Sequence, residues 1–322
     1  MTLARRPVLR LLAAAAALAA ATGAFAQSDY PNRAVKVIVP FAAGGPADNY
    51  ARFIAQRLGD SLKQPFVVDN KPGAGSVIGT DLPAKSPAGG YTLLLMSNTH
   101  TVNETLIPNK PFKLMSDFVG VAPINSSDLL LVVHPSVPAK TLPELIALAK
   151  SKPGKMNYAS SGNGTPYHMA GELFKHLAGV DIVHVPYKGS SGARTDVMGG
   201  QVDMMFDAVT TMVPVAWEGK VRALATTGLA RTSDLPTVAE TVPNYEATIW
   251  LGLMAPKGTP QAIVDKLNAE VRKIVAQPDT KAAWTRQGAT PLSMNPAEFA
   301  DYLNKDIAKW GAIVKASGIK PE

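Results

Sequence analysis

Short apolar runs alternate with helix-like stretches along most of this chain, and no other feature narrows its fold as far. Residues 35–39, 66–68, 91–96, 129–133, 156–159, 182–185, 204–206 and 221–225 read as strands. Residues 49–58, 76–84, 167–177, 193–198 and 213–217 read as helices between them, and Thr141 with Glu144 three residues on is a capping-box pattern that opens another. Continuous apolar strands separated by helices predict an α/β molecule with parallel sheets covered on both faces. Near the end, Thr259-Pro260 opens a helix whose Ile263, Val264, Leu267, Val271 and Ile274 share one stripe. Phe299, Leu303, Ile307, Trp310 and Val314 repeat the pattern in a last helix, and both stripes are expected to face the core.

There is no long linker, low-complexity tract or internal repeat. Two sheets without a sequential linker require the chain to cross from one lobe to the other and return. The crossings are expected near residues 125–130 and 222–228. That gives one domain from 27–125 and 228–322 and a second from 126–227. Two crossings make a hinge, and a hinge makes a cleft that closes on a ligand.

Residues 1–26 read as an export signal. Arg5, Arg6 and Arg10 form the positive start, residues 11–21 an alanine-leucine apolar run, and Ala24-Phe25-Ala26 a small-x-small cleavage site, so cleavage is expected after Ala26. The run is too short and too alanine-rich for a good membrane span. Arg5-Arg6 followed by Val8-Leu9 also resembles a twin-arginine signal, which leaves the export route open. The chain has no cysteine, so it has no acylation site for a lipoprotein and no disulfides, and a large core must carry its stability. A mature chain of about 296 residues has room for that core in two domains. The formal charge is +7, and loss of the three leader arginines lowers it to +4. The excess is scattered, without a basic stripe or interleaved aromatics, which argues against nucleic acid. It would mildly favour small anions.

Two turns have the chemistry of anion sites. Ala159-Ser160-Ser161-Gly162-Asn163-Gly164-Thr165-Pro166-Tyr167-His168 joins a strand to a helix through small residues. Such a turn presents unpaired N–H groups and the positive end of a helix dipole, roughly half an elementary charge. Val39-Pro40-Phe41-Ala42-Ala43-Gly44-Gly45-Pro46-Ala47-Asp48 is a similar device far away in sequence. Two such turns predict one ligand gripped from both sides.

These segments resemble the extracytoplasmic receptors of tripartite tricarboxylate transporters, the Bug family. The likeness continues through Asn70-Lys71-Pro72-Gly73-Ala74-Gly75-Ser76, Gly90-Tyr91-Thr92-Leu93-Leu94, Gly171-Glu172-Leu173-Phe174, His184-Val185-Pro186-Tyr187-Lys188-Gly189 and Gly199-Gly200-Gln201-Val202-Asp203. Gly219-Lys220-Val221-Arg222-Ala223-Leu224-Ala225, Leu235-Pro236-Thr237-Val238-Ala239-Glu240 and Ala255-Pro256-Lys257-Gly258-Thr259-Pro260 extend it through nearly all of the mature chain. Ser76 departs from the pattern, which more often has a third glycine there. The resemblance implies an α/β, two-domain periplasmic-binding-protein fold, type II-like, with two sheets and a ligand cleft between lobes. It implies a carboxylate-bearing solute held by backbone amides and bound water, and delivery to a two-subunit membrane permease. It carries no cofactor and no metal, and receptors that dock on a permease are usually monomers.

Each candidate site residue has a functional and a bland reading. Gly44 and Gly45 let the backbone approach a carboxylate, or simply make a tight turn. Phe41 is an apolar wall or a core residue. Asp48 is a cap or dipole partner, or a direct contact. Gly75 belongs to a Gly73-Ala74-Gly75 turn followed by Gly79; the spacing is GxGxxxG rather than a dinucleotide fingerprint, and no acidic residue follows the next strand for a ribose, so the turn is expected to wall the cleft. Ser97 and Asn98 end a strand, a usual ligand position in open α/β sheets. Ser160, Ser161, Gly164 and Thr165 can satisfy both oxygens of a carboxylate or cap their own helix. His168 donates to the ligand or bonds backbone. Tyr187 and Lys188 end the next strand; Tyr187 is expected to face the cleft, and Lys188 is more often solvated. Asp207 holds a loop or an ordered water. Enzyme readings fare worse: Ser160 or Ser161 with His168 suggests a secreted α/β hydrolase or esterase, yet there is no GxSxG elbow and no third triad member. His168, His176 and His184 recur every eight residues, which is not metal-ligand spacing. The remaining rival is a receptor that only senses its solute.

Overall fold

The computed structural model describes residues 30–231, 235–317 and 319. The export-signal reading of residues 1–26 lies outside them. The chain starts with β1 (Val35–Val39), α1 (Pro46–Leu62), β2 (Phe66–Asn70), α2 (Val77–Ala84) and β3 (Thr92–Ser97), a parallel unit in which β1 lies between β2 and β3. Helices α3 (Asn98–Leu106) and α4 (Leu114–Asp117) lead to β4 (Phe118–Val133), a strand of 16 residues. The middle of the chain is α5 (Leu142–Ser151), β5 (Asn157–Ser160), α6 (Pro166–Ala178), β6 (Val183–Pro186), α7 (Ser190–Met198), β7 (Met204–Ala208), α8 (Val209–Trp217) and β8 (Arg222–Thr226). The chain ends with β9 (Thr248–Pro256), α9 (Gln261–Ala276), α10 (Pro278–Arg286), β10 (Ala289–Pro291) and α11 (Pro296–Ser317).

Among the described residues the strands join in the order β2-β1-β3-β9-β4-β7-β5-β6, with β8 and β10 also on β4. Strand β4 belongs to both halves of the molecule. Its first part pairs with β9, and its last residues, Leu129–Val133, pair with β7 and β8. The sheets are therefore mixed rather than parallel as expected, because β4 and β9 run antiparallel to their neighbours. The alternation of Leu129, Leu131 and Val133 against Leu130 and Val132 assigns successive side chains to two different cores, one on each face. This explains a run of five apolar residues without any polar alternate.

Helix α1 starts where Pro46 supplies a preset first turn, and stops where Lys63 turns left-handed (φ 59°). Its Tyr50, Ala51, Ile54, Ala55 and Leu58 pack on the first sheet with β1, β3 and the expected stripe of α9. The stripe of α11 covers the opposite face through Phe299 and Leu303. One further cluster bridges the halves: Met169 of α6 sits among Val102 and Leu106 of α3 and Trp310 and Val314 of α11. Val238, Val242, Tyr245 and Ala247 of the returning chain pack in the core of the middle region, with Tyr245 Oη donating to Ala170 O at 2.9 Å.

Candidate functional site

The first turn leaves β1 and enters α1 through Gly45, which is extended (φ −88°, ψ 171°) and offers no side-chain cap. The amides of the first turn therefore lack an intrahelical acceptor. Gly44 is left-handed (φ 80°) and exposed, and its N–H donates to Asp48 Oδ2 at 3.0 Å. Burial alone would raise the Asp48 carboxyl, but Arg52, the Gly44 N–H and Asn70 together hold it below the usual carboxylate range. Asp48 thus ties its own turn and pairs with Arg52 at 3.0 Å.

The second turn is largely self-satisfied. Ser160 is fully buried, and its Oγ lies 2.6 Å from His184 Nε2 and 3.1 Å from the Gly162 N–H it accepts. The Gly164 N–H donates to His168 Nδ1 at 3.1 Å. Thr165 Oγ1 donates to Gly162 O at 2.6 Å and accepts from the His168 N–H as the cap of α6. His168 stacks on His184 with ring centroids 4.0 Å apart. The serine thus meets His184 rather than His168, and it does so with no exposed surface. Burial, followed by the charges of His168 and Lys175, lowers His184 to about 3, so His184 is a neutral brace under the turn.

Between the turns lies a small cavity lined by Phe41, Ala42, Gly45, Pro46, Ala47, Ser97, Thr99, Ser161, Pro166, Tyr167, Gly189, Ser190, Ile249 and Leu251. Four helix N-termini meet there: α1 at Gly45–Ala47, α3 at Ser97 and Thr99, α6 at Pro166 and Tyr167, and α7 at Gly189 and Ser190. No charged side chain is among these lining residues. Its positive potential therefore comes from helix ends, each equivalent to roughly half an elementary charge. The turns approach closely. Ala42 N–H donates to Lys188 O at 3.3 Å. A Cβ at Gly45 would sit 3.0 Å from Ser190 Oγ, and one at Gly189 2.6 Å from Ala42 Cβ. An adjoining recess is lined by Phe41, Gly75, Ser161, Thr165, Tyr187 and Lys188, and a Cβ at Gly75 would meet Asn163 O at 2.8 Å.

Of the residues singled out in the sequence, Phe41, Gly45, Ser97 and Ser161 line the main cavity, and Gly75, Thr165 and Tyr187 line the recess. Gly44, Asp48, Ser160, Gly164 and His168 line neither. Asn98 is buried and ties α3 to the start of β9, donating to Thr248 O at 2.9 Å. Asp207 is also buried and takes Arg194 Nε and Nη2 at 2.9 and 2.8 Å. Burial pushes its carboxyl up, while Arg194 and the Ala208 N–H oppose that shift. The phenol of Tyr167 is raised by burial and by the charge of Asp207. Ser190, Tyr167 and Thr99 were not picked out from the sequence. For Ser190 a signal existed: α7 begins at Ser190, not at 193, and Lys188-Gly189-Ser190 is a third small turn between a strand and a helix.

Residues 50–319 match the family described as tripartite tricarboxylate transporter family receptor, TctC. The chain belongs to this receptor family. The receptor is 37% identical over 319 residues to protein BugT of Bordetella pertussis, with 97% of each chain covered. Among solved structures it is similar to R. palustris Rpa4515 with adipate, at a TM-score of 0.88 and 35% identity, covering 91% of this chain and 100% of that one. It is also similar to MatC from Rhodopseudomonas palustris with bound malate, at a TM-score of 0.84 and 33% identity, covering 88% and 100%. The receptor therefore has the α/β periplasmic-binding-protein fold, and its family consists of substrate-binding receptors rather than enzymes.

Proposed function

We propose that this receptor captures a small organic carboxylate between its two turns and hands it to a two-subunit membrane permease. The observation that carries this reading is the convergence of four helix N-termini on a cavity without charged side chains. Such a site favours an anion through backbone amides and dipoles and has no cation that would demand a fixed counter-geometry. Relatives solved with adipate and malate support the ligand class. In this reading Gly45, Ser161 and Ser97 approach the carboxylate, Phe41 walls it, Gly75, Tyr187 and Thr165 edge the entrance, and Gly44, Asp48, Asn98, Ser160, Gly164, His168 and Asp207 hold the frame.

The receptor acts as two lobes, residues 27–125 with 228–322 against 126–227, joined through β4 and the returning chain. The Ala42–Lys188 hydrogen bond and the Gly45–Ser190 contact are what a closed cleft would form across them. The mature protein is exported after cleavage at Ala26 and works as a monomer. Calorimetry against a panel of mono-, di- and tricarboxylates tests the ligand class. Saturable binding, with a melting temperature that climbs as the acid is added, is the expected result. A panel without a single binder defeats it.

A further inference from the structure

Helix α8 breaks the usual pattern of a surface helix. Its nine residues, Val209–Trp217, carry no charge, and its two exposed positions, Pro214 and Trp217, are apolar. A helix at the surface ordinarily turns charged or polar side chains to water. The inner side is accounted for: Val209 and Met212 are buried with Leu130, Val132 and Met205, and Val213, Val215 and Ala216 pack partly on that core. Trp217 stands outside it. The side chain is 79% exposed, more than any other large hydrophobic among the described residues. Exposed apolar surface of this kind marks partner sites, and tryptophan is a frequent anchor of them.

Two grooves flank the indole, and Val213 and Trp217 line both. The larger groove is built from both halves of the molecule. Helix α8 lines it from the middle of the chain, and Thr285–Thr290, from the end of α10 into β10, line it from the last part. Ser126–Asp128 of β4 and Thr248 of β9 complete it. Thr248 and Ile249 are successive strand residues and face opposite ways. Thr248 lines the groove, and Ile249 lines the cavity described above. A body seated in the groove therefore touches both halves and the strand that carries a wall of the cavity. The groove edges are basic: Arg231 and Arg286 line the larger one and Arg222 the smaller, against one acid, Asp128. Asp128 is half-buried and accepts from Thr226 Oγ1 at 3.5 Å. Arg231 is paired with Glu240. Arg222 donates to the carbonyls of Pro135, Val137 and Ala139, which leave its charge in place.

We infer that α8, with Trp217 as its knob, and the groove beside it are the surface on which the membrane permease docks, and that the permease presents there apolar side chains flanked by carboxylates. This rests on the permease-delivery reading above. A second copy of the receptor in a two-fold contact would set the same arginines against each other. A flat lipid surface would not reach the floor of a groove. A partner that spans both halves binds one of their orientations best, so it distinguishes a loaded, closed receptor from an empty one. A permease needs that distinction.

Purified mature receptor is added, with a radiolabelled acid that binds in the panel above, to right-side-out inner-membrane vesicles of its own bacterium washed free of periplasmic proteins. Wild type is compared with Trp217→Ala, Arg286→Glu and, as a control, Leu82→Ala, which trims an exposed apolar side chain on α2. Trp217 and Arg286 are exposed, so both variants should keep the fold and the calorimetric affinity for the acid. With limiting receptor, uptake should fall about tenfold in each, as when an interface anchor is removed, while Leu82→Ala matches wild type. Wild-type uptake in Trp217→Ala, or an equal loss in Leu82→Ala, overturns the docking surface and leaves delivery standing. Wild-type uptake in Arg286→Glu alone overturns the acidic character of the partner. Weakened binding of the acid in Trp217→Ala would assign the groove to the cargo instead. A wild-type dimer in sedimentation that Trp217→Ala dissolves would assign it to a second copy, and binding to protein-free phosphatidylglycerol vesicles that the same variant abolishes would assign it to lipid. Wild-type uptake no greater than in receptor-free vesicles overturns the delivery reading and the docking surface with it.

Discussion

At the scale of single residues, the site depends on positions where a side chain is absent or locked. Gly45→Val is expected to abolish carboxylate binding in calorimetry while the far-ultraviolet circular dichroism stays native. The first added carbon already reaches within 3.0 Å of Ser190 Oγ, and the two branches would hold the turns apart. Full affinity in that variant would remove Gly45 from the site. The buried pair Asp207–Arg194 behaves oppositely: Arg194→Leu leaves an uncompensated carboxylate with no exposed surface, at a cost of about 3–5 kcal/mol in denaturant unfolding. Adding Asp207→Asn should recover part of that loss. If the double variant is as unstable as the single one, packing rather than charge explains the effect.

His100 sets a pH dependence. It is 1% exposed, its Nε2 lies 3.0 Å from Thr80 Oγ1, and its ring braces Phe41 edge-on at 6.3 Å. Burial lowers it to about 4, against an unfolded value near 6.5. Between those values the unfolded chain binds a proton that the folded one refuses, so stability falls as pH drops below about 6.5 and the loss levels off near the folded value. The loss from this residue is about 2 kcal/mol between pH 6.5 and pH 5. His100→Gln should flatten that part of the stability profile, whatever its effect at neutral pH. A variant profile as steep as wild type would assign the acid sensitivity elsewhere.

At the scale of elements, the two turns differ in how much of their polarity is already used. Thr165 caps α6, so Thr165→Ala is expected to destabilise the fold by about 1 kcal/mol. Ser161 lines both the cavity and the recess, so Ser161→Ala should weaken carboxylate binding by roughly 0.5–3 kcal/mol. Thermal unfolding and calorimetry on both variants separate these roles, and an exchange of the two effects would show that Thr165 is the ligand contact. What could be read from the sequence divides along the same line. Strand, small-residue turn and helix are local signals, so Gly45 and Ser161 were visible. Which hydroxyl of a serine-rich turn faces inward is decided by tertiary partners such as His184, which the spacing of histidines did not reveal. The front of β4 was missed for a related reason. Gly120, Pro123, Asn125, Ser126 and Asp128 break the apolar run, and only the long pairing with β9 makes them strand, with bulges at Gly120/Ala122 and Pro123/Asn125. Ser190 stayed hidden because its helix was started three residues late.

At the scale of the whole molecule, the alternation of apolar runs and helices was enough for the α/β class, but not for the mixed direction of its sheets, because antiparallel β4 and β9 carry no local mark of direction. Met169 offers a test of the coupling between halves. It is fully buried among residues of α3 and α11, so Met169→Ala is expected to cost about 2–5 kcal/mol of stability. If its contacts form chiefly in the closed cleft, carboxylate affinity should fall together with stability. A large stability loss with unchanged affinity would mean that the cluster persists when the cleft opens.

The bulges in β4 have a mechanical meaning. Both halves share this single ribbon, so any reorientation between them must shear or twist it. Shear concentrates where the ladder already has gaps, beside Gly120/Ala122 and Pro123/Asn125, a few residues from Leu129–Val133, where the pairing with β7 is regular and only the pairing with β8 shifts, between Leu131 and Val132. Deuterium uptake should therefore be fast at the first stretch and slow at the second, and ligand should retard the first more. In the two-lobe reading proposed for this receptor, the joint would then be a row of imperfections inside the longest described strand rather than a loop at the surface.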